Sequence, residues 1–127
     1  MAQQLILVRG LPGSGKTTLA RALAKVVPAE HCEADSYFSR RGEYKFNPHK
    51  LDAAHADCLA RAQLAIKDGR SVVVANTFTR RWEMQPYFDL AAAHGVRVVE
   101  IVAGGAWQNM HNVPADTVER MRERWED

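Results

Sequence analysis

A glycine-rich segment near the start of the chain has the residue types and spacing of a phosphate-binding loop. It follows the apolar run at residues 5–8 and reads GLPGSGKT over residues 10–17, which matches G-x-x-x-x-G-K-[ST]. Glycines let successive backbone N–H groups turn inward around a polyphosphate, because a Cβ would block the path or forbid the dihedral angles. We therefore expect this segment to bind the phosphates of a nucleoside triphosphate.

Two side chains at the end of the segment could contribute chemistry as well as binding. Lys16 is expected to bring a cation to the β- and γ-phosphates, and the hydroxyl of Thr17 is expected to ligate Mg²⁺. A helix beginning there would point its positive dipole end at the same anion. The predicted cofactors are thus ATP and Mg²⁺, and the predicted nucleotide-binding residues are Gly10, Leu11, Pro12, Gly13, Ser14, Gly15, Lys16, Thr17 and Thr18.

A carboxylate follows a shorter predicted strand over residues 31–34, the second along the chain. Asp35 could accept the proton of an acceptor hydroxyl and align it for in-line attack on a phosphate. The alternative is that Asp35 or Ser36 caps a short helical turn. Arg40 and Arg41 come next and could bind a phosphate of the acceptor, although a solvated basic loop is equally compatible with the sequence.

A second group of polar residues follows the third predicted strand. Asn76 and Thr77 could hydrogen-bond an acceptor hydroxyl or a water bound to Mg²⁺, and Arg80 could contact the acceptor's backbone. Thr79 is expected to cap the next helix. Trp82 or Phe78 could stack on a base, although aromatic residues in this context more often pack in the core.

The order of apolar patterns predicts the fold that would position these residues. Near-continuous apolar runs are typical of parallel strands covered on both faces, and amphipathic patterns between them predict helices. On the second of these helices, His55 is expected on the inward face. The predicted strands are 5–8, 31–34, 72–75 and 96–102, and the predicted helices are 16–27, 48–69, 80–94 and 114–126. This alternation predicts an α/β doubly wound parallel sheet with its ligand crevice at the carboxyl ends of the strands.

Length and composition are those of a single globular domain. The chain has 127 residues, of which 46% are hydrophobic and 25% are charged, so we expect one domain over residues 1–127. A net charge of +2 does not predict an extended nucleic-acid surface and favours a short acceptor over a long duplex. Cys32 and Cys58 are expected to be reduced thiols. The start of the chain lacks a charged signal-peptide region, and we expect a cytoplasmic protein with no membrane partner.

Together the motifs resemble P-loop kinase domains related to polynucleotide 5′-hydroxyl kinase, among the small zeta-toxin-like P-loop kinases. The segments that carry the resemblance are GLPGSGKTT (10–18), ADSYF (34–38), YKFNP (44–48), Ala54-His55, ANTFTRRWEMQPYFDLA (75–91) and NMHNVPADTVERMRERWE (109–126). The resemblance implies a P-loop NTPase kinase-like three-layer sandwich, with a mainly parallel four-stranded sheet and helices on both faces. It also implies that Asp35 is the general base for a 5′-hydroxyl and that Arg40 or Arg41 contacts the acceptor phosphate.

The chain departs from the pattern of the kinases that it resembles at two places. After the third strand those kinases usually carry Asp-Asn-Thr-Asn-Thr, whereas this chain has Ala75 and Phe78 at the first and fourth positions. After the fourth strand they carry a longer lid with an arginine, which segment 103–112 lacks. Transfer of the γ-phosphate to the 5′-hydroxyl of a nucleic acid is therefore the leading hypothesis. The alternatives are a kinase of a hydroxymethylated DNA base, nucleoside or small hydroxyl compound, and an ATP-binding switch.

Overall fold

The computed structural model describes residues 2–39, 46–105 and 113–127. The predicted acceptor-binding residues Arg40 and Arg41, and most of the predicted lid segment, lie outside the described residues. The strands are β1 (Gln4–Arg9), β2 (Ala29–Cys32), β3 (Ser71–Asn76) and β4 (Arg97–Val102). The α-helices are α1 (Lys16–Val26), α2 (Leu51–Lys67), α3 (Arg81–His94) and α4 (Ala115–Glu123), and two short 3₁₀ helices span Ala34–Ser39 and Pro48–Lys50.

The four strands form one parallel sheet in the order β2-β3-β1-β4. The central strand β1 pairs with β3 through Val8 and Ala75 and with β4 through Val8 and Ile101. All four carboxyl ends therefore lie at one edge, where the loops that follow them can form a common site. The predicted parallel α/β sheet is confirmed.

The second strand begins and ends two residues earlier than predicted. The sequence predicts it over residues 31–34, whereas β2 spans Ala29–Cys32. The chain enters the sheet directly after α1, and Glu30 and Cys32 pair with Val72 and Val74 of β3. As a consequence Glu33 is the first residue beyond the strand, at the functional edge of the sheet.

Helices cover both faces of the sheet, as predicted. Successive residues of β1 point to opposite faces, so Leu5 and Leu7 lie in one core cluster while Ile6 and Val8 lie in the other. The first cluster is completed by buried residues of α2 and α3, and the second by Ala20 and partly buried residues of α1. Burial on both faces explains why the two inner strands, β1 and β3, are almost continuously apolar, whereas the outer strand β4 is partly exposed and carries Arg97 and Glu100.

The longest described helix, α2, packs through small residues. Ala54, Cys58, Ala62 and Ala65 follow the helical repeat and are fully buried, which lets the helix approach the sheet closely. His55 is exposed, and its predicted place on the inward face is wrong, because one residue along a helix turns the side chain by about 100°. In the three described ranges, no helix has both the length and the apolar character needed to cross a bilayer.

A buried arginine joins the loops at the functional edge. The guanidinium of Arg9 donates from Nε and Nη2 to the carbonyl oxygen of Phe78 at 3.1 and 2.8 Å, and from Nη1 to Glu100 Oε1 at 3.2 Å. It also donates to the Glu126 carbonyl and lies 4.3 Å from the centre of the Trp125 ring. Arg9 thus connects the loop after β3, strand β4 and the end of the chain to the base of the glycine-rich loop.

Candidate functional site

The glycine-rich loop has the backbone conformation that its sequence predicts. Gly13 and Gly15 have φ values of 84° and 87°, in the left-handed region that favours glycine. Gly15 also occupies the N-cap of α1 without any side-chain capping bond, so the first N–H groups of that helix are not used by a cap. A helix end of this kind is suited to receive an anion.

Ser14 supplies a specific reason to place a phosphate in the loop. Its Oγ is buried and makes no hydrogen bond to any part of the chain that the structure describes. Its carbonyl oxygen accepts a hydrogen bond from Gly105 N at 3.0 Å, which ties the loop after β4 to the glycine-rich loop. Leaving a buried hydroxyl unpaired costs about 1–3 kcal/mol, and a phosphate oxygen would remove that cost. The loop therefore fits the phosphates that its sequence implies.

Gly10 is required for a steric reason. Its N–H donates to Thr77 O at 3.3 Å, and a Cβ added here would lie 2.3 Å from Ser14 Oγ and 3.0 Å from Ala103 O. The position lies where three segments meet: the glycine-rich loop, the loop after β3 and the loop after β4. A side chain would have to displace at least one of them.

We predict that Gly10→Ala weakens ATP binding and lowers the free energy of unfolding by about 1–3 kcal/mol, the usual cost of overpacking. The matched control for stability is Gly104→Ala, because a Cβ at Gly104 meets nothing within 4 Å. Denaturant titration of both variants and calorimetric ATP titration of Gly10→Ala against the wild type test this. Equal effects of the two substitutions on the free energy of unfolding would show that the close approach at Gly10 is unimportant.

Lys16 and Asp35, which the sequence predicts to act together, lie within electrostatic reach of each other. Burial lowers the pKa of the Lys16 ammonium, and the negative charges of Asp35 and Glu33 act against this lowering. Both Lys16 and Asp35 are half-buried. A partly desolvated ammonium beside carboxylates is well placed to interact strongly with a phosphate.

Glu33 is a residue of this site that the sequence reasoning did not select. Its side chain is buried, with a relative exposure of 7%, and its Oε1 accepts a 2.9 Å hydrogen bond from Thr17 Oγ1. Its Oε2 lies 2.6 Å from His31 Nε2. The only sequence signal is a charged residue near the end of a predicted strand, and the prediction of that strand over residues 31–34 placed Glu33 inside it.

The 3₁₀ helix that carries Asp35 is held by neighbouring elements. Ala34 N donates to Asn76 Oδ1 at 2.9 Å, and Asn76 Nδ2 donates to Cys58 Sγ at 3.7 Å. Arg61 Nη2 donates to the carbonyl oxygen of Glu33 at 2.8 Å. Asp35 lies inside the first turn of this helix, so neither it nor Ser36 occupies the capping position before the helix.

These contacts give Asn76 a structural role, and its predicted contact with an acceptor stays a prediction. Thr77 is half-buried and accepts the Gly10 N–H through its carbonyl. Arg80 is exposed and lines a separate cavity of about 250 Å³ beside Trp82 and Arg124. Thr77 therefore contacts the glycine-rich loop, and Asn76 contacts the helix that carries Asp35. Arg80 lines the smaller cavity instead.

The cap of α3 differs from the sequence prediction. Thr79 was expected at the N-cap, but that position belongs to Arg80, whose N–H donates to Glu83 Oε2 at 2.7 Å. Thr79 is completely buried, and its hydroxyl donates to the same carboxylate oxygen at 3.1 Å. The side chain of Glu83 thus does the capping that the sequence reasoning assigned to Thr79.

Phe78 packs in the core and does not present its ring to a ligand. Its exposure is 2%, and its ring lies edge-on to Tyr87 with the centres 5.6 Å apart. Its φ is 45°, a left-handed value that only Phe78 adopts among the described residues other than glycine. Asparagine tolerates this conformation better than phenylalanine, so the Asn of the pattern described above suits the backbone at this position. The presence of Phe78 in place of this asparagine therefore concerns the backbone and the core and does not imply the loss of a catalytic group.

A larger cavity lies on the β4 side of the glycine-rich loop. Its volume is about 650 Å³, and it is bounded by Gly10–Ser14, Val102–Gly105, Arg122 and Trp125. Asp35 follows β2, which is the outer strand on the side of the sheet away from β4. Lys16 and the glycine-rich loop follow the central strand β1, so they lie between a cavity on one side and a carboxylate on the other.

Comparisons with known proteins agree with this geometry. The chain matches the AAA_33 family model, an AAA domain, over residues 5–104. It is 34% identical over 133 residues to human NEDD4-binding protein 2, a match that covers 96% of this chain and 8% of the relative. The chain thus spans less than a tenth of that relative's length.

Two solved structures share the fold at low sequence identity. Kti12 of Chaetomium thermophilum, solved in complex with ADP-AlF3, has a TM-score of 0.73 at 18% identity, covering 97% of this chain and 80% of that one. A chain of the Pnkp1/Rnl/Hen1 RNA repair complex has a TM-score of 0.65 at 17% identity, covering 97% of this chain and 37% of that one. The chain therefore belongs to the AAA_33 family of AAA domains, with a P-loop kinase-like fold.

Proposed function

We propose that this chain is an ATP- and Mg²⁺-dependent phosphotransferase that moves the γ-phosphate to a hydroxyl group, at the 5′ end of a nucleic acid. The observation that carries the proposal is that Asp35 lies two residues after Glu33, which bonds to Thr17 of the phosphate-binding loop, and that its negative charge acts on Lys16. A nucleotide-binding loop alone is compatible with switches and motors. A carboxylate near the loop adds the group that a hydroxyl acceptor requires.

The cavity beside Arg122 and Trp125 is the proposed site of the nucleoside. It opens directly onto Gly10–Ser14, so a nucleotide whose phosphates lie in the loop can place its base and sugar there. Trp125 offers an aromatic surface, and its ring already packs against the guanidinium of Arg9. The acceptor would then approach from the β2 side, where Asp35 lies.

The proposed chemistry follows from the charges at the loop. Loop amides and the Lys16 ammonium bind the phosphates and stabilise charge on the transferred group, while Asp35 accepts the proton of the attacking hydroxyl. The hydroxyl of Thr17 and the carboxylate of Glu33 lie in hydrogen-bond contact and suit a hard cation that prefers oxygen ligands. When bound there, Mg²⁺ would supply positive charge to the β- and γ-phosphate oxygens.

The choice of a nucleic-acid 5′ end rests on the resemblance of residues 34–38 and 75–91 to polynucleotide 5′-hydroxyl kinase domains. The fold similarity to a chain of an RNA repair complex is in keeping with it. The small net charge of +2 favours a short acceptor, whose few phosphates require few cationic contacts.

Incubation with γ-labelled ATP and Mg²⁺ tests the proposal. The acceptors are 5′-hydroxyl DNA, 5′-hydroxyl RNA, DNA containing hydroxymethyl-pyrimidine, and free nucleosides, and each oligonucleotide has a 5′-phosphorylated control. We expect label on a 5′-hydroxyl oligonucleotide and none on its phosphorylated control. Label confined to the modified base or the nucleosides would contradict the proposed acceptor and still support phosphotransferase activity.

One observation favours a second function, that of an ATP-binding switch. Ala75 stands at the end of β3, where the resembled kinases carry a carboxylate, and it is only 1% exposed. A domain that binds ATP without rapid transfer would be the result if no other group supplied that negative charge. Intact ATP binding with label on none of the acceptors would support the switch.

A further inference from the structure

We infer that Glu33 replaces the carboxylate that is missing at Ala75, and that it acts as a positioning residue by holding the Thr17 hydroxyl with its oxygen toward Mg²⁺. This inference rests on the proposed function, because it concerns the metal of the bound nucleotide. The Thr17 hydroxyl would then be held by the residue directly after β2, whereas the resemblance would place the carboxylate on the neighbouring strand β3.

The hydrogen bond between Thr17 and Glu33 determines what the hydroxyl can do. A threonine hydroxyl has one proton to donate and lone pairs that can bind a metal. Thr17 Oγ1 gives its proton to Glu33 Oε1 at 2.9 Å, so its lone pairs are left for other partners. A carboxylate acceptor makes this bond charge-assisted and stronger than one to a neutral group. Partners of this kind orient metal ligands and tune metal affinity.

The backbone that carries Glu33 is fixed by neighbouring groups. Its carbonyl oxygen accepts bonds from Arg61 Nη2 at 2.8 Å and Ser36 N at 3.2 Å. Arg61 is held in turn by Asp57, with Nε 3.1 Å from Oδ2. The side chain is buried, with its second carboxylate oxygen 2.6 Å from His31 Nε2, and a buried side chain on a fixed backbone suits a positioning role.

The sheet register explains how one strand can substitute for the other. Cys32, the last residue of β2, pairs with Val74 of β3, so Glu33 follows β2 at the level where β3 continues with Ala75. Ala75 packs in the same cluster as Ala20 of α1, the helix that begins with Lys16 and Thr17. A methyl group at Ala75 offers no oxygen, whereas the longer side chain of Glu33 reaches Thr17 from the neighbouring strand.

The test measures how much Mg²⁺ strengthens ATP binding, using calorimetric titration of the full chain with Mg²⁺ and with EDTA. Glu33→Ala should reduce the enhancement by Mg²⁺, taken as the ratio of ATP affinity with Mg²⁺ to ATP affinity in EDTA, about 10- to 100-fold, the usual effect of removing a partner of a metal ligand. Glu33→Gln, which keeps the side-chain volume, is measured in parallel so that a folding defect of the alanine variant cannot hide the effect. Glu30→Ala is the control, since Glu30 lies on the same strand and bonds only to Arg70 among the contacts described.

Two combined variants separate positioning from a general loss of structure. Ala75→Asp in the Glu33→Ala background should restore part of the Mg²⁺ enhancement, because it returns a carboxylate to the neighbouring strand. In a Thr17→Val background, Glu33→Ala should cause no further loss, because Glu33 acts through the Thr17 hydroxyl. A purely structural role for Glu33 predicts neither the rescue nor this loss of effect.

The outcomes distinguish this inference from the function on which it rests. Wild-type enhancement by Mg²⁺ in both Glu33 variants, with ATP still bound, would overturn the role of Glu33 and leave the proposed phosphotransferase standing. Failure of the wild-type protein to bind ATP under any condition would overturn both. A reduced enhancement that Ala75→Asp restores would establish that the carboxylate has moved from β3 to β2.

Discussion

Lys16→Ala is expected to abolish measurable phosphate transfer and to weaken ATP binding strongly. Lys16 is the cation of the glycine-rich loop, and burial lowers its pKa in the free protein. Asp35 and Glu33 only partly offset the desolvation of this ammonium, so a phosphate would interact with it strongly, and removing one such electrostatic contact costs about 10²- to 10³-fold in rate. Rate measurements with labelled ATP and calorimetric titration would show both effects.

The same variant is not expected to unfold the protein. Desolvation of the Lys16 ammonium outweighs its attraction to Asp35 and Glu33, so the free energy of unfolding should stay the same or rise when the cation is removed. Lys25→Ala is the matched control, because Lys25 is exposed in the last turn of the same helix. Transfer by Lys16→Ala at the rate of the control would remove the loop from the site.

Asp35→Asn is expected to keep ATP binding and to reduce transfer about 10²- to 10⁴-fold, the range for loss of a general base. The asparagine preserves the shape of the side chain but cannot take a proton from the acceptor hydroxyl. The measurement is the ratio of the transfer rate to ATP affinity, because the effect should appear only in the rate.

Asp68→Asn is the control for this substitution. Asp68 is an exposed carboxylate between α2 and the amino end of β3, whereas Asp35 follows the carboxyl end of β2. A loss of ATP binding in Asp35→Asn as large as the loss of transfer would indicate that Asp35 supports the loop rather than the acceptor. Full activity would exclude it as the base.

The glycine-rich loop and the sheet could be predicted because their signals are local. Gly10–Thr17 is a contiguous motif whose positions each have a steric or electrostatic reason. The apolar runs at 5–8 and 72–75 are long enough to indicate buried parallel strands, and both lie inside the observed β1 and β3. Neither prediction needed any contact between distant residues.

The parts of the site that could not be predicted depend on contacts between distant segments. Thr17 and Glu33 are sixteen residues apart and meet only because α1 returns the chain to the sheet edge next to β3. The exact end of β2 was also needed, because a strand that extends to residue 34 includes Glu33 within it. Sequence patterns locate strand ends only to within a few residues, and here an error of two concealed a carboxylate.

The two departures in the segment after β3 have different physical meanings. Phe78 occupies a backbone position with positive φ, and its buried ring and the bonds from Arg9 to its carbonyl oxygen hold it there. Its replacement of an asparagine is therefore a change in how the loop is stabilised. Ala75 does lack a charged group, and Glu33 supplies a carboxylate that accepts a direct bond from Thr17.

The central claim is that the protein transfers the γ-phosphate of ATP to a hydroxyl whose proton Asp35 accepts. Its most direct test is a side-by-side transfer experiment with the wild-type protein and Asp35→Asn. Both are saturated with γ-labelled ATP and Mg²⁺, mixed with a 5′-hydroxyl oligonucleotide, and sampled through a single turnover. The predicted result is labelled oligonucleotide from the wild type and almost none from Asp35→Asn, with ATP bound equally by both. Transfer at the same rate by the two proteins, or ATP binding by the wild type with no label on any hydroxyl acceptor, would contradict the claim.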